Sequence, residues 1–397
     1  MNRVDYNSAD RKLVILSAVV LSAMGAMFYN LLPLFLGVSQ DYREMSDRGA
    51  GLLGSMYFAG HTLTTITAFF WIRLLNWRVV TSAALTVGSL ALLMAGFSES
   101  QGLLMLCIFV AGGAFSAVYG IGTTVLADTS NPARWYGLKI SAEATLGAIL
   151  ILLLPELLIS RYGFMGMMSG MVLAIILLAP MLAWLPGTGN KHPHHQREKI
   201  EVKPHFRLAM WSGLFAAMAF MFSATLVWTF LERMASAADF EFAIVSRVLS
   251  LTLIFAVLGS LVAVVLGERF GSSRPLGVAT ALFLISLVFL SGSTSLMAYA
   301  IGACMLTFAI GLGLTYLITI VAELDLDGRY VVLTVPAIGV GVMIAPAVGG
   351  LLLASGGFSA IFMVGGMTVV LSLMASYFAL RTGEFQGDEH RIGRKSG

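Results

Sequence analysis

Charged residues are scarce in this chain of 397 residues. Asp, Glu, Lys and Arg together make up 11% of it, whereas hydrophobic residues make up 58%. Ordinary soluble domains carry roughly a quarter charged residues, so this chain has too few to cover a water-exposed surface. The composition excludes a soluble globular protein and predicts a chain whose solvent is the lipid bilayer.

The chain also lacks the residue patterns of common enzymes and metal sites. It contains no HExxH, GxSxG or CxxC motif, and no glycine-rich phosphate loop followed by lysine. Its two cysteines, Cys107 and Cys304, lie in apolar segments and are too few for a metal site without nearby partners. We expect no enzymatic activity, no cofactor, no bound metal and no use of ATP.

What is present is a series of long apolar segments. Each has about 18 to 27 residues, which is enough to cross the hydrocarbon layer as a helix. The first segment runs too far to be a typical secretory signal, so we expect an uncleaved helix. The twelve predicted spans are 12–38, 49–72, 79–97, 103–127, 137–160, 164–185, 208–232, 241–266, 275–292, 296–322, 331–354 and 358–380.

Lysine and arginine are distributed unevenly between the predicted loops. With the amino terminus inside, 19 of the 24 lie on the cytoplasmic side and 5 outside. Because such residues are retained in the cytoplasm, both termini are expected there. The basic residues are scattered, so they form no single face for nucleic acid. We expect a multi-pass, monomeric protein of a cell membrane of the bacterial inner-membrane type, with no nucleic-acid partner.

The two halves of the sequence repeat each other at a nearly constant offset. The segments 71–78 and 267–274 each end in an arginine and contain a second one five residues earlier, and the pairs lie 196 residues apart. Three residues of the first half, Cys107, Tyr119 and Asp128, recur 197 residues later as Cys304, Tyr316 and Asp325. A weaker match joins 134–135 to 329–330. A duplicated apolar chain is typical of secondary transporters.

The duplication predicts four regions. We expect an amino-terminal six-helix bundle at 1–186, a central cytoplasmic loop at 187–207, a carboxy-terminal six-helix bundle at 208–380 and a cytoplasmic tail at 381–397. The central loop is basic and interrupted by proline, and its histidines lack the rigid spacing of metal ligands; they are His192, His194, His195 and His205.

Residues 267–271, Gly-Glu-Arg-Phe-Gly, with Arg274 after them, resemble the signature loop of the major facilitator superfamily, G-x-x-x-D/E-R-x-G-x-R/K-R/K. The first-half copy has Ile72 in place of the acid and Leu75 in place of the glycine. The resemblance implies an all-α membrane fold of two pseudo-symmetric six-helix bundles and transport by alternating access.

In such a loop, charge-assisted bonds between helix ends bias the outward-open state. We expect the first loop to be the weaker latch, because it has no acid of its own. Simple anchoring by positive residues is the alternative for both loops. The loop residues with an expected gating role are Arg73, Arg78, Glu268, Arg269 and Arg274.

The predicted eleventh span, 331–354, carries a glycine-and-proline pattern around Pro346. In the superfamily this pattern is associated with antiporters, but there it belongs to the fifth span, which has no Gly-Pro pair here. On physical grounds the pattern predicts a bendable, closely packing helix, so Pro346 is a further gating candidate.

Three ionisable residues lie in spans that the resemblance places around the central cavity: His61, Glu143 and Arg247. Because charges are costly in hydrocarbon, each is a functional candidate. We hypothesise that Glu143, coupled to His61, is the proton-coupling site. The alternatives are a neutral His61 bonded to a helix hydroxyl, and a structural pair of Glu143 with Lys139.

Arg247 is expected to bind an anionic group or to pair with Glu232, Asp239 or Glu241. Several aromatic or amide residues are candidate walls of the substrate site because they combine a flat face with a polar tip, although packing is the alternative role for each. They are Tyr29 and Asn30 before a break at Pro33, and Tyr57, Tyr119, Trp228 and Tyr316.

Few fixed charges, many aromatics and 22 methionines favour a small, moderately apolar or amphipathic organic substrate over a multiply charged ion. Our first expectation is proton-coupled export of such a solute by secondary active transport. The alternatives are proton-coupled uptake of a small organic anion, such as a monocarboxylate, through Arg247, and a sensor or scaffold that does not transport.

Overall fold

The computed structural model describes residues 9–188, 204–267, 269–292, 295–325 and 331–393. Helices dominate these residues, and no β-strand occurs among them. Most of the predicted central loop, including His192, His194 and His195, lies outside the described residues, as do Arg329 and Tyr330. The helices are α1 Lys12–Arg43, α2 Asp47–Trp71, α3 Trp77–Phe97, α4 Gln101–Ala127, α5 Pro132–Leu154, α6 Ser160–Leu178, α7 Pro204–Thr229, α8 Leu231–Ala237, α9 Phe242–Leu266, α10 Ser273–Ser291, α11 Leu296–Leu324 and α12 Val331–Gly393.

Several helices begin where the sequence supplies a capping side chain. The first backbone amides of a helix have no partner within it, and a preceding serine or asparagine oxygen accepts from one of them. The structure shows this arrangement before α2, α3, α4, α5 and α11, at Ser46, Asn76, Ser100, Asn131 and Ser295.

Nine helical stretches among the described residues are long and apolar enough to cross a membrane. Two of them, Arg134–Trp184 and Leu333–Thr382, contain 51 and 50 residues, about twice what one crossing needs. Each turns at a glycine with positive φ, Gly163 (55°) or Gly357 (64°), a conformation that glycine adopts without steric cost. These turns lie in the gaps 161–163 and 355–357 between predicted spans. The chain is a multi-pass membrane protein.

The helices depart from the sequence prediction in three larger features, besides small shifts of their ends. The predicted break at Pro33 is wrong, because α1 continues through Pro33 to Arg43; membrane helices tolerate proline where neighbouring groups satisfy the freed carbonyl. After α7 the chain kinks at Phe230 and resumes as the short α8. Helix α12 continues to Gly393, into the residues predicted as a tail.

Backbone contacts divide the chain into two compact units. Unit 1 comprises Met1–Pro193, Thr229–Ile254 and Pro346–Ala354. Unit 2 comprises His194–Trp228, Phe255–Ala345 and Ser355–Gly397. Unit 1 therefore includes two segments from the second half of the sequence. The division at 187–207 into two bundles of equal helix number remains a prediction.

Within unit 1, α2 and α4 approach so closely that glycine is required at the crossing. A Cβ atom added at Gly60 would meet the backbone oxygen of Phe109, and one added at Gly112 would meet the backbone oxygen of Tyr57. Small residues of this kind permit close helix packing in membranes, where apolar surface alone does not drive helix association.

Within unit 2, α9 and α11 cross in the same way. A Cβ atom added at Gly259 would meet the backbone oxygen of Phe308, and one added at Gly311 would meet that of Ala256. Both glycines lie 199 residues after their counterparts in unit 1. The internal repeat seen in the sequence therefore also appears in the helix packing of the two units.

Candidate functional site

A buried ion pair lies in α5. The Nζ atom of Lys139 is 2.7 Å from Oε1 of Glu143, and the two side chains are 6% and 14% exposed. Lys139 also donates a hydrogen bond of 2.8 Å to the hydroxyl of Tyr119 in α4. The structure thus gives Glu143 the lysine partner that the sequence offered as its structural alternative.

The sequence positions this pair through helix geometry. Helix α5 begins at Pro132, directly after its cap Asn131, and residues four apart lie on the same face of a helix. Asn30 of α1 donates a 2.9 Å hydrogen bond to the backbone oxygen of Glu143. Gly147, one turn further along α5, lets α1 approach, since an added Cβ atom would lie 2.6 Å from Cβ of Asn30.

His61 lies beside this pair, on the other side of Tyr119. The ring centroids of His61 and Tyr119 are 6.0 Å apart, and those of His61 and Tyr57 are 6.3 Å apart. Tyr57 is buried and stacks on Phe28 with centroids 3.7 Å apart. The backbone oxygen of His61 accepts from Ser116 and Thr65 at 2.9 and 3.0 Å.

The structure therefore joins five of the predicted site residues, with Lys139 added, in one row of contacts through unit 1. We call this row the α5 cluster. Its members come from α1, α2, α4 and α5, and they are Asn30, Tyr57, His61, Tyr119, Lys139 and Glu143.

Other predicted site residues lie outside the α5 cluster. Tyr29 packs edge-on against Phe58 with centroids 5.9 Å apart. Trp228 is buried in α7 and belongs to unit 2. Arg247 is 65% exposed, and its guanidinium lies 3.8 Å from the 60% exposed carboxylate of Glu156. A pair so long and so exposed is weak.

The loop between α2 and α3 contacts an acid that lies outside the loop, at the end of α4. Arg73 donates to both carboxylate oxygens of Asp128, at 2.6 and 2.8 Å, and Asp128 is buried at the end of α4. The first loop has no acid of its own, as the sequence shows, but its Arg73 has an acidic partner that sequence analysis did not assign. Because Asp128 follows α4, another helix of unit 1, this bidentate bond joins the end of α4 to the loop.

Arg78 and its neighbour Trp77 contact the chain after α6. The Nε atom of Arg78 donates to the backbone oxygen of Leu185, and the amide of Trp77 donates to the backbone oxygen of Gly187 at 2.7 Å. Arg78 thus anchors the start of α3 within unit 1.

In the second signature loop, Glu268 lies outside the described residues. Arg269 and Arg274 are exposed at the end of α9 and the start of α10. Tyr316 is buried, and its hydroxyl donates to the backbone oxygen of Gly267 at 3.0 Å. This bond joins α11 to the end of α9, which is a packing role for Tyr316.

Pro346 lies where α12 packs on α2 within unit 1. The amide of Ala347 donates to the hydroxyl of Ser55 at 2.9 Å. A Cβ atom at Gly51 would meet the backbone oxygen of Pro346, and one at Gly350 would meet the backbone of Asp47. The glycines around Pro346 thus admit a neighbouring backbone.

Sequence reasoning named Lys139 only as a structural partner of Glu143, and it missed Asp128 as a partner of Arg73. The spacing of four between Lys139 and Glu143 is the signal for a pair on one helix face. Asp128 recurs as Asp325 at almost the same offset as the loop arginines. That shared offset could have suggested a partnership with Arg73.

An open groove of about 450 Å³ lies elsewhere, between α2, α3 and α4. Its lining is apolar apart from Thr64, and it includes Gly60, Leu63, Val87 and Phe109. No charged side chain lines it, so it offers less for recognising a solute than the α5 cluster.

The chain shares its fold with solved structures of transporters, in agreement with the fold that the sequence resemblance implied. No family model and no curated protein matches the chain. Among solved structures, a bacterial homologue of the human lysosomal transporter Spinster, inward-facing and unoccupied, superposes with a TM-score of 0.69 at 13% identity over 94% of this chain and 96% of that one. Its inward-facing, occupied form gives 0.64 at 14% identity over 96% and 98%. The nucleoside transporter NupG gives 0.66 at 15% identity over 92% and 99%.

Proposed function

We propose that this chain is a secondary active transporter that carries a small organic solute by alternating access and uses protons as the coupling ion. We also propose twelve spans, cytoplasmic termini and location in a cell membrane. The shared fold with known transporters supports the general class. The observation that carries proton coupling is the buried pair of Lys139 and Glu143.

A buried ion pair is a poor device for stability alone. Removing two charges from water costs about as much as their attraction returns, and apolar residues of similar volume often serve as well or better. Inside a membrane the cost of a charge is higher still, and such residues usually mark a pathway for solutes or protons. The pair in α5 is therefore better explained by a function than by packing.

Glu143 is the group of the α5 cluster suited to carry the proton. A carboxylate beside one ammonium group has two alternatives: it remains charged and paired, or it takes a proton and releases Lys139 to another partner. That choice changes the charge of the site by one unit. Coupling arises when the solute favours one of the two states, because a ligand shifts an equilibrium only through differential affinity. His61 and Tyr119 extend the cluster toward α2.

The test is thermal stabilisation of the purified protein by a broad panel of metabolites at pH 5.5 and 8. A ligand that binds the folded state raises the melting temperature by mass action. We expect at least one ligand whose effect depends on pH in the wild type and in Glu99→Gln, an exposed carboxylate used as control, but not in Glu143→Gln. A ligand whose pH dependence survives in Glu143→Gln would remove Glu143 from the coupling mechanism.

A further inference from the structure

The α5 cluster carries an inference about the chemical class of the solute, which rests on the proton-coupled transport proposed above. We infer that the solute is an organic monocarboxylate. Its carboxylate binds Nζ of Lys139 and the hydroxyl of Tyr119 while Glu143 holds a proton, and the proton and the anion cross the membrane together.

The charges around Glu143 decide which solute fits. Lys139 on the same helix is the cation of the cluster, and Asn30 of α1 adds no charge. Titratable groups near the pair are Tyr119 of α4 and, beyond it, His61 and Tyr57 of α2. On α5 itself, Tyr136 lies one turn before Lys139. Helix α9 approaches Gly147 and Ala148 of α5 through uncharged residues, since Ser250 donates to the backbone oxygen of Ala148 and Leu253 faces Gly147. The charged Arg247 of α9 is paired with Glu156, beyond the end of α5.

With neutral tyrosine and histidine side chains, the cluster has one positive and one negative charge. A proton on Glu143 leaves Lys139 with an uncompensated charge in a mostly buried site. A monoanion restores neutrality, a neutral solute leaves the charge unpaired and a cation doubles it. Buried charges are tolerated when they are paired and hydrogen-bonded. The arrangement therefore favours one proton with one monoanion.

The geometry of the donors suits a carboxylate. Nζ of Lys139 and the hydroxyl of Tyr119 are 2.8 Å apart, so the two oxygens of one carboxylate can each accept from one donor. This anion would replace the Glu143 carboxylate that now lies 2.7 Å from Nζ. The partly exposed rings of His61 and Tyr119 would contact the apolar body of the solute. An inward proton gradient would then drive uptake.

This inference differs from export of a neutral solute in the sign of the pH effect. If proton and anion bind together, lowering the pH tightens solute binding, because the linkage between two ligands is reciprocal. If proton and solute exchange, lowering the pH weakens it. For binding linked to the uptake of one proton, the affinity falls about tenfold for each pH unit above the pKa of the group that takes up the proton.

The experiment compares carboxylates with amides of the same shape. The purified full-length protein is titrated between pH 5.5 and 8 with benzoate and benzamide, nicotinate and nicotinamide, phenylacetate and phenylacetamide, and butyrate and butyramide, with thermal stabilisation as the readout. We expect at least one carboxylate to bind at least about tenfold more tightly than its amide and to lose affinity as the pH rises. Failure of every carboxylate, or a preference for an amide, would overturn the inference.

Variants then place the carboxylate at Lys139. Glu143→Gln should bind the same carboxylate without pH dependence. The double variant Lys139→Gln/Glu143→Gln leaves no unpaired charge behind, so it should fold and should lose the preference for carboxylate over amide. Lys12→Gln, at an exposed lysine at the start of α1, is the matched control and should retain it.

The result also separates this inference from the proposed function. A neutral or cationic ligand whose pH dependence disappears in Glu143→Gln would keep proton coupling and overturn the monocarboxylate. A carboxylate preference that survives in the double variant would remove Lys139 as its binding group. A ligand with the same pH dependence in the wild type and in Glu143→Gln would remove Glu143 from the proposed coupling mechanism, whichever class of solute binds, and would overturn this inference with it.

Discussion

At the scale of single residues, two of the ion pairs among the described residues have very different surroundings. The pair of Lys139 and Glu143 is enclosed by α1, α4 and α5, whereas that of Asp41 and Arg233 is 45% and 32% exposed at 3.0 Å. Exposed pairs contribute little because water and salt screen them, but an enclosed charge that loses its partner is not rescued by solvent. The two pairs should therefore respond differently to mutation.

Replacing Lys139 by methionine should destabilise the protein more at alkaline than at acidic pH. Without its cation, the buried Glu143 avoids a bare charge by holding a proton in the folded state that the unfolded chain releases, so stability falls as the pH rises. We expect a loss of about 3 kcal/mol at pH 8 and a smaller loss at pH 5. Thermal unfolding in detergent at pH 8 and pH 5 measures the loss of stability. An equal loss at the two pH values would contradict the claim that Glu143 binds a proton in the folded state when Lys139 is absent.

The bond between Arg73 and Asp128 gives a second prediction. Asp128→Asn leaves the Arg73 fork without its charged acceptor, and we expect a cost of about 2 kcal/mol. Asp41→Asn removes an acid of the same type from an exposed pair and should cost less than about 1 kcal/mol. Melting temperatures of the two variants check this order, and equal effects would show that the Arg73 bond contributes no more than a surface pair.

At the scale of helices, glycines set the distance between α2 and α4 and between α9 and α11. In both pairs the backbone of one helix occupies the space that a side chain would need, at Gly60 and Gly112 in unit 1 and at Gly259 and Gly311 in unit 2. A helix that is shifted to make room loses contacts along its whole length, because membrane helices are held by close packing. The repeat therefore predicts the same sensitivity in both halves.

Alanine substitutions test this packing. Gly112→Ala and Gly311→Ala should each cost about 1 to 3 kcal/mol because the added methyl group meets backbone atoms. Gly137→Ala and Gly277→Ala have nothing within 4 Å of the new atom, so they should be neutral or slightly stabilising through better helix propensity. Thermal unfolding of the four variants is the measurement, and tolerance at both 112 and 311 would contradict the close crossings.

Most elements follow from local sequence, and so does the pair of Lys139 with Glu143 on one helix, whereas the contacts between helices do not. Long apolar runs specify where helices lie, and Gly163 and Gly357 turn the chain within the predicted gaps. The bonds that Tyr119 accepts from Lys139 and that Asn30 donates to Glu143 join different helices, so no local pattern predicts them. The pairing of Arg73 with Asp128 joins residues 55 positions apart, which only the assembled helices bring together.

At the scale of the whole molecule, unit 1 contains two segments from the second half of the sequence. Segment 346–354 packs on α2, and Arg233 pairs with Asp41 of α1. If the protein works by alternating access, contacts of this kind break in one half of the cycle and re-form in the other. Their glycines are then part of the mechanism, since they let the segments close.

A larger side chain at position 350 should keep segment 346–354 apart from α2. In Gly350→Leu the added side chain would meet the backbone of Asp47 and Arg48, so segment 346–354 should separate from α2. Spin labels at positions 44 and 354 in a cysteine-free background should then report longer distances than in the parent. Gly277→Leu, where nothing lies within 4 Å of the added Cβ atom, is the control. Unchanged distances in Gly350→Leu would show that close packing at Gly350 is not needed to hold segment 346–354 against α2.

The central claim is that Glu143 couples proton movement to solute movement, and proton flux in reconstituted vesicles tests it most directly. Vesicles that contain a pH-sensitive dye receive the ligand found by thermal stabilisation, and dye signal and radiolabelled ligand uptake are followed together in the wild type, Glu99→Gln and Glu143→Gln. We expect the ligand to drive proton flux in the first two, and Glu143→Gln to exchange ligand across the membrane without moving protons. Ligand-driven proton flux that persists in Glu143→Gln would contradict the account.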